Sequence, residues 1–166
     1  MKIITIFGTR PEAIKLSPLI LNLKNQNGVN NEVICTGQHR ELVDQVMETF
    51  GLEVDFHLNL MKQNQTLWDF SSRALSLVSD LLSKRKPDLV IVQGDTSTAM
   101  ISALAAFYNK IDVAHIEAGL RSNDNYSPFP EEINRKMISQ ISRYHFTPTK
   151  RSTQALLNEG VSKNKI

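Results

Sequence analysis

The length, composition and charge of this chain are those of an ordinary globular domain. Its 166 residues are 41% hydrophobic and 22% charged, which fits one soluble domain with its own core and excludes a disordered chain. A formal net charge of +2 argues against a dedicated nucleic-acid binder, which would carry a basic stripe. The single cysteine, Cys35, excludes an intramolecular disulfide and argues against a zinc cluster. There is no signal-peptide core and no apolar run near the ~18 residues of a membrane helix, so we expect a cytoplasmic protein without membrane contact.

Apolar runs alternate with helical patterns along the chain. Six short runs rich in β-branched residues predict strands, at residues 2–7, 32–36, 54–60, 88–93, 112–116 and 144–147. Six stretches with apolar residues at helical spacing predict helices, at residues 17–23, 40–50, 66–84, 96–108, 131–142 and 150–158. The first of these helices is expected to begin with Ser17 as N-cap and Pro18 at its first position.

This alternation of strands and helices predicts an α/β fold, with one Rossmann-like, doubly wound parallel sheet over residues 1–166. The run at residues 88–93, DLVIVQ, is almost continuously apolar, as is typical of a buried parallel strand. The chain ends at Ile166 shortly after a predicted helix, where a further strand would be natural. We therefore expect the chain to stop at the edge of a domain.

Two strand ends carry residues suited to phosphate or sugar, since ligands of doubly wound sheets bind beyond the carboxyl ends of the strands. After the first strand comes GTRPEAIK, in which Gly8 permits a tight turn while Arg10 and Lys15 supply two cations. After the second comes TGQHR, where Gln38 and His39 could contact sugar hydroxyls or a diphosphate. On the residues alone, ordinary turns with solvated side chains are the favoured explanation of both segments. Neither a G-x-G-x-x-G fingerprint nor a Walker loop is present.

Three carboxylates also occupy strand ends or helix starts. Asp95 follows the fourth strand, and its alternative role is a helix N-cap worth ~1 kcal/mol. Glu117 follows the fifth strand, where a shifted pKa or an ion pair with Arg121 is expected. Glu131 opens a helix after the stiff segment SPFP, and its alternative role is to favour the helix dipole and pair with Arg135. Together the three could supply a base, an acid and an orienting group for proton transfer at carbon.

Four blocks of the sequence resemble one enzyme family, in order and without large gaps. FGTRPEAIK, TGQHRELVDQV, GDTSTAMISALAAFY and HIEAGLRSNDNYSPFPEEINR are similar to the matching blocks of non-hydrolysing UDP-N-acetylglucosamine 2-epimerases. The resemblance covers Met1 to about Ile166, the first half of a typical member. It implies that this chain is the N-terminal half of a GT-B-like enzyme, in which two Rossmann-like domains flank the active-site cleft.

The resemblance also implies a reaction and roles for particular residues. UDP-GlcNAc and UDP-ManNAc would be interconverted by removal of the C2 proton with elimination of UDP, followed by re-addition. Asp95, Glu117 and Glu131 would form the acid/base set, with the residue that removes the C2 proton left open. The residues expected to contact the substrate are Arg10, Lys15, Gln38, His39 and Arg135.

Bacterial members of this family bind a second UDP-GlcNAc as an activator beside the substrate. Gln38, His39 and Gln65 fall in that region of the present sequence. Some members have glutamine where this chain has Glu41, and arginine where it has Asn64. The resemblance implies neither a metal nor an organic cofactor.

The second domain of the family supplies a catalytic histidine and most of the uridine pocket, so we expect this chain to be inactive without that domain or a complementing chain. Members are commonly homodimers, and we expect self-association. Three alternatives stay open at this point. The chain could belong to a GT-B glycosyltransferase, to a hydrolysing epimerase, or to a truncated remnant that only binds or associates.

Overall fold

The fold is a parallel sheet with helices on both faces. The computed structural model describes residues 1–37, 40–60 and 64–166. Within these residues the strands are β1 (Lys2–Phe7), β2 (Asn30–Cys35), β3 (Phe56–His57), β4 (Leu89–Gln93), β5 (Asp112–Ile116) and β6 (Tyr144–Phe146). They pair in parallel in the order β3-β2-β1-β4-β5-β6. The order reverses between β1 and β4, and a doubly wound sheet binds its ligands at this switch point.

The helices alternate with the strands as predicted. They are α1 (Arg10–Lys24), α2 (Arg40–Thr49), α3 (Leu67–Arg85), α4 (Ser97–Tyr108), α5 (Glu131–Ile141) and α6 (Lys150–Asn158), followed by a short 3₁₀ helix, Lys163–Lys165. The predicted α/β class and doubly wound sheet are confirmed. In the described part of the chain, none of the helices combines the length and the apolar character that crossing a membrane requires.

Both faces of the sheet are buried, because successive residues of the central strands enter two different cores. Ile3 and Phe7 of β1 pack with α1 and α2, whereas Ile4 and Ile6 pack with α3, α4 and α5. The same alternation divides β4, whose residues are all buried. A strand covered on both sides needs apolar residues at every position, which explains the continuous run that the sequence shows there.

The first helix begins earlier than predicted. Its N-cap is Thr9, whose hydroxyl and backbone N–H exchange hydrogen bonds with Glu12 in a capping box, with Pro11 in the first turn. The prediction of a start at Ser17 and Pro18 is therefore wrong, and Pro18 lies inside α1. An internal proline costs ~3 kcal/mol, and the burial of the helix face that packs on the sheet outweighs this cost.

The other predicted elements differ less from the structure. The strand predicted at 54–60 is confined to β3, an edge strand, although main-chain hydrogen bonds to β2 continue from Asp55 and Leu58. The ranges predicted for β1, β5 and α6 agree with the structure. The ends predicted for the other elements lie within two residues of the observed ends, which is the ordinary variation at frayed termini.

We expect alanine at Gly119 to destabilise the protein more than alanine at Gly160. Both glycines have a left-handed backbone conformation, with φ of 86° and 85°, so alanine costs ~1 kcal/mol at either position. At Gly119 the added Cβ would also lie 2.3 Å from the carbonyl oxygen of Ser152 in α6, whereas nothing lies within 4 Å at Gly160. Urea unfolding should therefore show a further loss of ~1–3 kcal/mol for Gly119→Ala. Equal losses would contradict the close approach of the two segments.

Candidate active site

A cleft of about 400 Å³ lies at the switch point of the sheet. The first residues of four helices line it, since Thr9, Thr66, Thr96 and Pro130 are the N-caps of α1, α3, α4 and α5. Helix N-termini present unpaired backbone N–H groups and partial positive charge. The cleft is therefore suited to a ligand that carries negative charge.

The turn after β1 requires glycine because its main chain lies against two hydroxyl groups. The side-chain oxygens of Thr36 and Thr98 are 3.1 Å apart and buried. A Cβ at Gly8 would lie 2.4 Å and 2.5 Å from these two oxygens. Close approach, rather than the tight turn that the sequence suggested, accounts for this residue.

A buried carboxylate, Glu12, connects this turn to the start of α4. Its Oε2 atom accepts hydrogen bonds from the backbone N–H of Gly8 at 3.0 Å and of Thr9 at 2.8 Å, and from the Thr9 hydroxyl at 2.7 Å. Its Oε1 atom accepts a hydrogen bond from the Thr96 hydroxyl at 2.7 Å. Burial raises the pKa of Glu12, and these hydrogen bonds oppose the rise. Glu12 was not predicted as a site residue, although the spacing Thr9-x-x-Glu12 is that of a capping box.

Glu117 extends from the end of β5 and is held by two donors. Lys15 Nζ lies 2.6 Å from Glu117 Oε2, and the Gln93 side-chain amide donates to the same oxygen. Glu117 also has a φ of 65°, a left-handed conformation that is uncommon for a residue with a side chain and is often found at functional sites. The alternative of a Glu117–Arg121 pair is wrong, because Arg121 pairs with Glu159 at 2.7 Å.

Asp95 lies in the turn between β4 and α4, where Arg135 Nη2 contacts its Oδ2 at 2.7 Å. Burial raises the pKa of Asp95, and the charges of Glu131 and Glu117 raise it further, against the lowering effects of Arg135 and Lys15. Asp95 is not the N-cap of α4, since Thr96 fills that role by accepting from Ala99 N–H at 3.0 Å. The structure thus brings the three predicted carboxylates together with two of the predicted cations.

Glu131 is the first residue of α5 and lines the cleft. The predicted pairing of Glu131 and Arg135 takes another form, because Arg135 Nε donates to the main-chain carbonyl of Glu131 at 3.2 Å. The fully buried Glu132 fixes the preceding loop by accepting from the backbone N–H groups of Ser122 and Asn123 at 2.9 and 3.1 Å. Burial opposes the ionisation of Glu132, but these hydrogen bonds prevail and lower its pKa.

The other residues predicted to bind substrate or activator lie at a helix start, at the cleft, or outside the described residues. Arg10 is exposed at the first position of α1, and Gln65 lines the cleft while accepting a hydrogen bond from Arg73. Gln38 and His39 lie outside the described residues. Across residues 1–37, 40–60 and 64–166, His, Cys, Asp and Glu side chains do not form a group of three or more that could hold a metal ion.

His115 is a fully buried residue near the site that sequence reasoning did not select. Its Nε2 atom lies 2.7 Å from the carbonyl oxygen of Gly94, the residue before Asp95. Its Nδ1 atom is buried and has no hydrogen-bond partner among the described residues. Burial lowers the pKa of His115 to about 4, because a charged ring would be desolvated there.

Comparison with known proteins identifies the family. A model of the UDP-N-acetylglucosamine 2-epimerase family matches residues 21–166. The chain belongs to this family. The UDP-N-acetylglucosamine 2-epimerase of Bacillus subtilis is 48% identical to it over 166 residues, which is 100% of this chain and 44% of the relative.

Solved structures of the family agree with this fold. The UDP-GlcNAc 2-epimerase of Neisseria meningitidis bound to UDP-GlcNAc matches with a TM-score of 0.97 and 49% identity, over 99% of this chain and 44% of that one. The Methanocaldococcus jannaschii enzyme in complex with UDP-GlcNAc and UDP matches with a TM-score of 0.94 and 43% identity, over 100% of this chain and 45% of that one. The predicted family and GT-B-like, Rossmann-like fold are confirmed. The chain spans less than half the length of the relatives it matches.

We expect the free energy of unfolding to fall as the pH is lowered from 6.5 toward about 4, through the effect of His115. In this window the unfolded chain binds a proton on His115 that the folded protein does not, so acidification favours unfolding. The contribution over the window is about 3 kcal/mol. His115→Gln should remove it, so the stability advantage of wild type over the variant should shrink as pH falls in urea titrations. Parallel pH profiles for the two proteins would rule out a neutral, buried His115.

Proposed function

We propose that residues 1–166 form one Rossmann-like domain of a two-domain UDP-GlcNAc 2-epimerase, and that the complete protein interconverts UDP-GlcNAc and UDP-ManNAc. The observation that supports this most directly is the electrostatic grouping of Asp95, Glu117 and Glu131 at one edge of the sheet. Relatives have been solved with UDP-GlcNAc and UDP bound, which supports a nucleotide sugar as the substrate.

In this proposal the reaction proceeds by loss of the C2 proton with elimination of UDP, then reprotonation on the other face and re-addition of UDP. These reaction steps need groups that both take up and release protons near neutral pH. Asp95 suits this task because burial and its acidic neighbours raise its pKa. Glu117 and Glu131 complete the acid/base set, and no metal or organic cofactor takes part.

The cations would bind the leaving diphosphate. Arg10 is exposed at a helix start, where its guanidinium can form paired hydrogen bonds with phosphate oxygens. The Lys15 side chain is 50% exposed despite its contact with Glu117, so it can also reach an anion. Arg135 Nη2 lies 2.7 Å from Asp95 Oδ2, and we propose that Arg135 also contacts the substrate.

We also propose that Gln38 and His39 contact the sugar, and that Gln65 marks a second UDP-GlcNAc site for an activator. The position of Gln65 in the cleft supports this, since Glu131 lines the same cleft. A second bound nucleotide sugar would then lie close to the acid/base set.

Activity would require a second domain or a complementing chain. The leaving UDP has to be held while its bond to the sugar breaks, and the relatives are more than twice as long as this chain. We propose that their additional length supplies the rest of the cleft and that the present chain alone is inactive.

We expect solvent deuterium to enter C2 of UDP-GlcNAc when this chain is complemented by a second domain, and not with the chain alone. Asp95→Asn, Glu117→Gln and Glu131→Gln should each slow the exchange by ~10²–10⁴-fold, the usual contribution of a general acid or base. Asp80→Asn is the matched control, because it neutralises an exposed carboxylate on α3. Mass spectrometry of the recovered nucleotide sugar gives the readout.

The products of the same experiment distinguish the alternatives. Free ManNAc would indicate a hydrolysing epimerase, and sugar transfer without exchange would indicate a glycosyltransferase. An absence of exchange with a second domain present would overturn the proposal. Titration calorimetry would then show whether the chain still binds UDP or UDP-GlcNAc, as a remnant would.

We further propose that the chain self-associates as a homodimer, and we expect sedimentation velocity to show a dimer. Exposed apolar side chains on α3 support this, above all Trp68, which is 74% exposed. Trp68→Glu should shift the protein toward monomer by placing a charge in the contact. Tyr126→Glu, at an aromatic residue that is 82% exposed outside α3, is the control. A strict monomer at every concentration would contradict the proposal.

A further inference from the structure

The peptide groups on both sides of Asp95 are hydrogen-bonded by buried side chains. His115 Nε2 lies 2.7 Å from the carbonyl oxygen of Gly94, and Asn134 Nδ2 donates to the carbonyl oxygen of Asp95 at 2.9 Å. His115 is 0% exposed and Asn134 is 4% exposed. The two hydrogen bonds restrain the main chain of Asp95, whereas the ion pair with Arg135 contacts its side chain.

These contacts matter because Asp95 lies outside regular structure. Residues 94–96 form the turn between β4 and α4, so the carbonyls of Gly94 and Asp95 take no part in a strand ladder or a helix. The Gly94 N–H is already fixed, since it donates to the carbonyl oxygen of Ile116 at 2.9 Å. Fixing the peptide planes before and after one residue determines its backbone dihedrals and therefore the direction in which its Cα–Cβ bond leaves the main chain.

Both restraining side chains are suited to act as donors. A carbonyl oxygen can only accept, so His115 must carry its hydrogen on Nε2, and the unpartnered Nδ1 fits a neutral ring. Asn134 belongs to α5, the same helix that presents Glu131 to the cleft and Arg135 to the Asp95 carboxylate. One helix therefore sets the positions of two of the proposed acid/base groups.

We propose that His115 and Asn134 are positioning residues that hold the main chain of Asp95 from both sides. They keep its carboxylate between Arg135 and the other two carboxylates of the site, Glu117 and Glu131. Only the catalytic consequence of this role rests on the proposed function. The geometry itself can be measured on the 166-residue chain.

The experiment follows the Asp95 carboxyl by carbon NMR in protein labelled at aspartate, with Asp95→Asn identifying its signal. In wild type this group should titrate above the ordinary aspartate range, because burial, Glu131 and Glu117 raise its pKa. Asn134→Leu should shift the titration downward, since a released carboxylate turns toward water. His115→Leu should do the same, whereas His115→Gln keeps a donor near the Nε2 position and should retain the wild-type titration.

Two matched controls separate positioning from general destabilisation. Asn109→Leu removes a hydrogen bond of the same kind and length, from Nδ2 to the carbonyl oxygen of Ala105 at 2.9 Å. His145→Leu removes a buried histidine whose Nε2 lies 3.0 Å from the carbonyl oxygen of Ser139. Both controls should lower stability and leave the Asp95 titration unchanged. If His115→Leu fails to fold, Asn134→Leu and His115→Gln still decide the outcome.

In the complemented two-domain protein, Asn134→Leu should lower kcat about 10²-fold, the effect of a misplacement of about 1 Å, with a smaller change in KM. Asn109→Leu should leave both constants near their wild-type values. An Asp95 titration in Asn134→Leu that matches wild type would overturn the positioning role. A shifted titration in a complemented protein without C2 exchange would instead overturn the proposed function and support the positioning role.

Discussion

One buried carboxylate joins two of the turns from which the candidate site is built, the turn after β1 and the turn before α4. Glu12 is 1% exposed and accepts hydrogen bonds from Gly8, Thr9 and Thr96. A carboxylate can be buried when donors surround it, and the loss of one such donor leaves an unsatisfied acceptor that costs ~1–3 kcal/mol or more. The same contacts place the starts of α1 and α4 side by side. Arg10 is the first residue of α1, and Asp95 directly precedes the N-cap of α4. A cation and an acid that are far apart in the chain therefore lie at the same edge of the sheet.

The site is further defined by how its charges are shared. Lys15 and Arg135 each contact one of the three clustered carboxylates, Glu117 and Asp95 respectively. Neighbouring negative charges disfavour the ionisation of a carboxyl group, and neighbouring positive charges favour it. At Asp95 burial, together with the charges of Glu131 and Glu117, prevails over the two cations and raises the pKa. The three carboxylates, Asp95, Glu117 and Glu131, therefore have different electrostatic surroundings, because each has a different set of partners.

The sequence predicted the class of fold and the edge that bears the site, because both follow from patterns within single segments. The alternation of strands and helices gave the sheet, and polar residues directly after strands gave Asp95 and Glu117. The ion pairs of the site were harder to predict. Glu117 pairs with Lys15 on α1, whereas Arg121, which is nearer in sequence, pairs with Glu159. Long-range contacts of this kind depend on which strands become neighbours. The start of α1 could have been predicted from the sequence alone. Thr9, Pro11 and Glu12 form the pattern of a capping box with proline in the first turn, but Ser17-Pro18 also resembles a helix start and gave the wrong prediction.

Two of the proposed acid/base groups, Asp95 and Glu117, are held by residues of this chain. Asp95 is held by Arg135 and Asn134, and Glu117 by Lys15 and Gln93. A domain of this kind can fix the geometry of proton transfer before it meets a partner, and preorganised groups need no rearrangement during the reaction. We propose that its contribution to binding the diphosphate is smaller, since that contribution would depend on Arg10, exposed at the start of α1, and on Lys15. In the proposed enzyme, proton transfer and departure of UDP would thus be assigned to different halves of the protein. Elimination needs both at once, so closure of the two halves around the nucleotide sugar would couple the two steps.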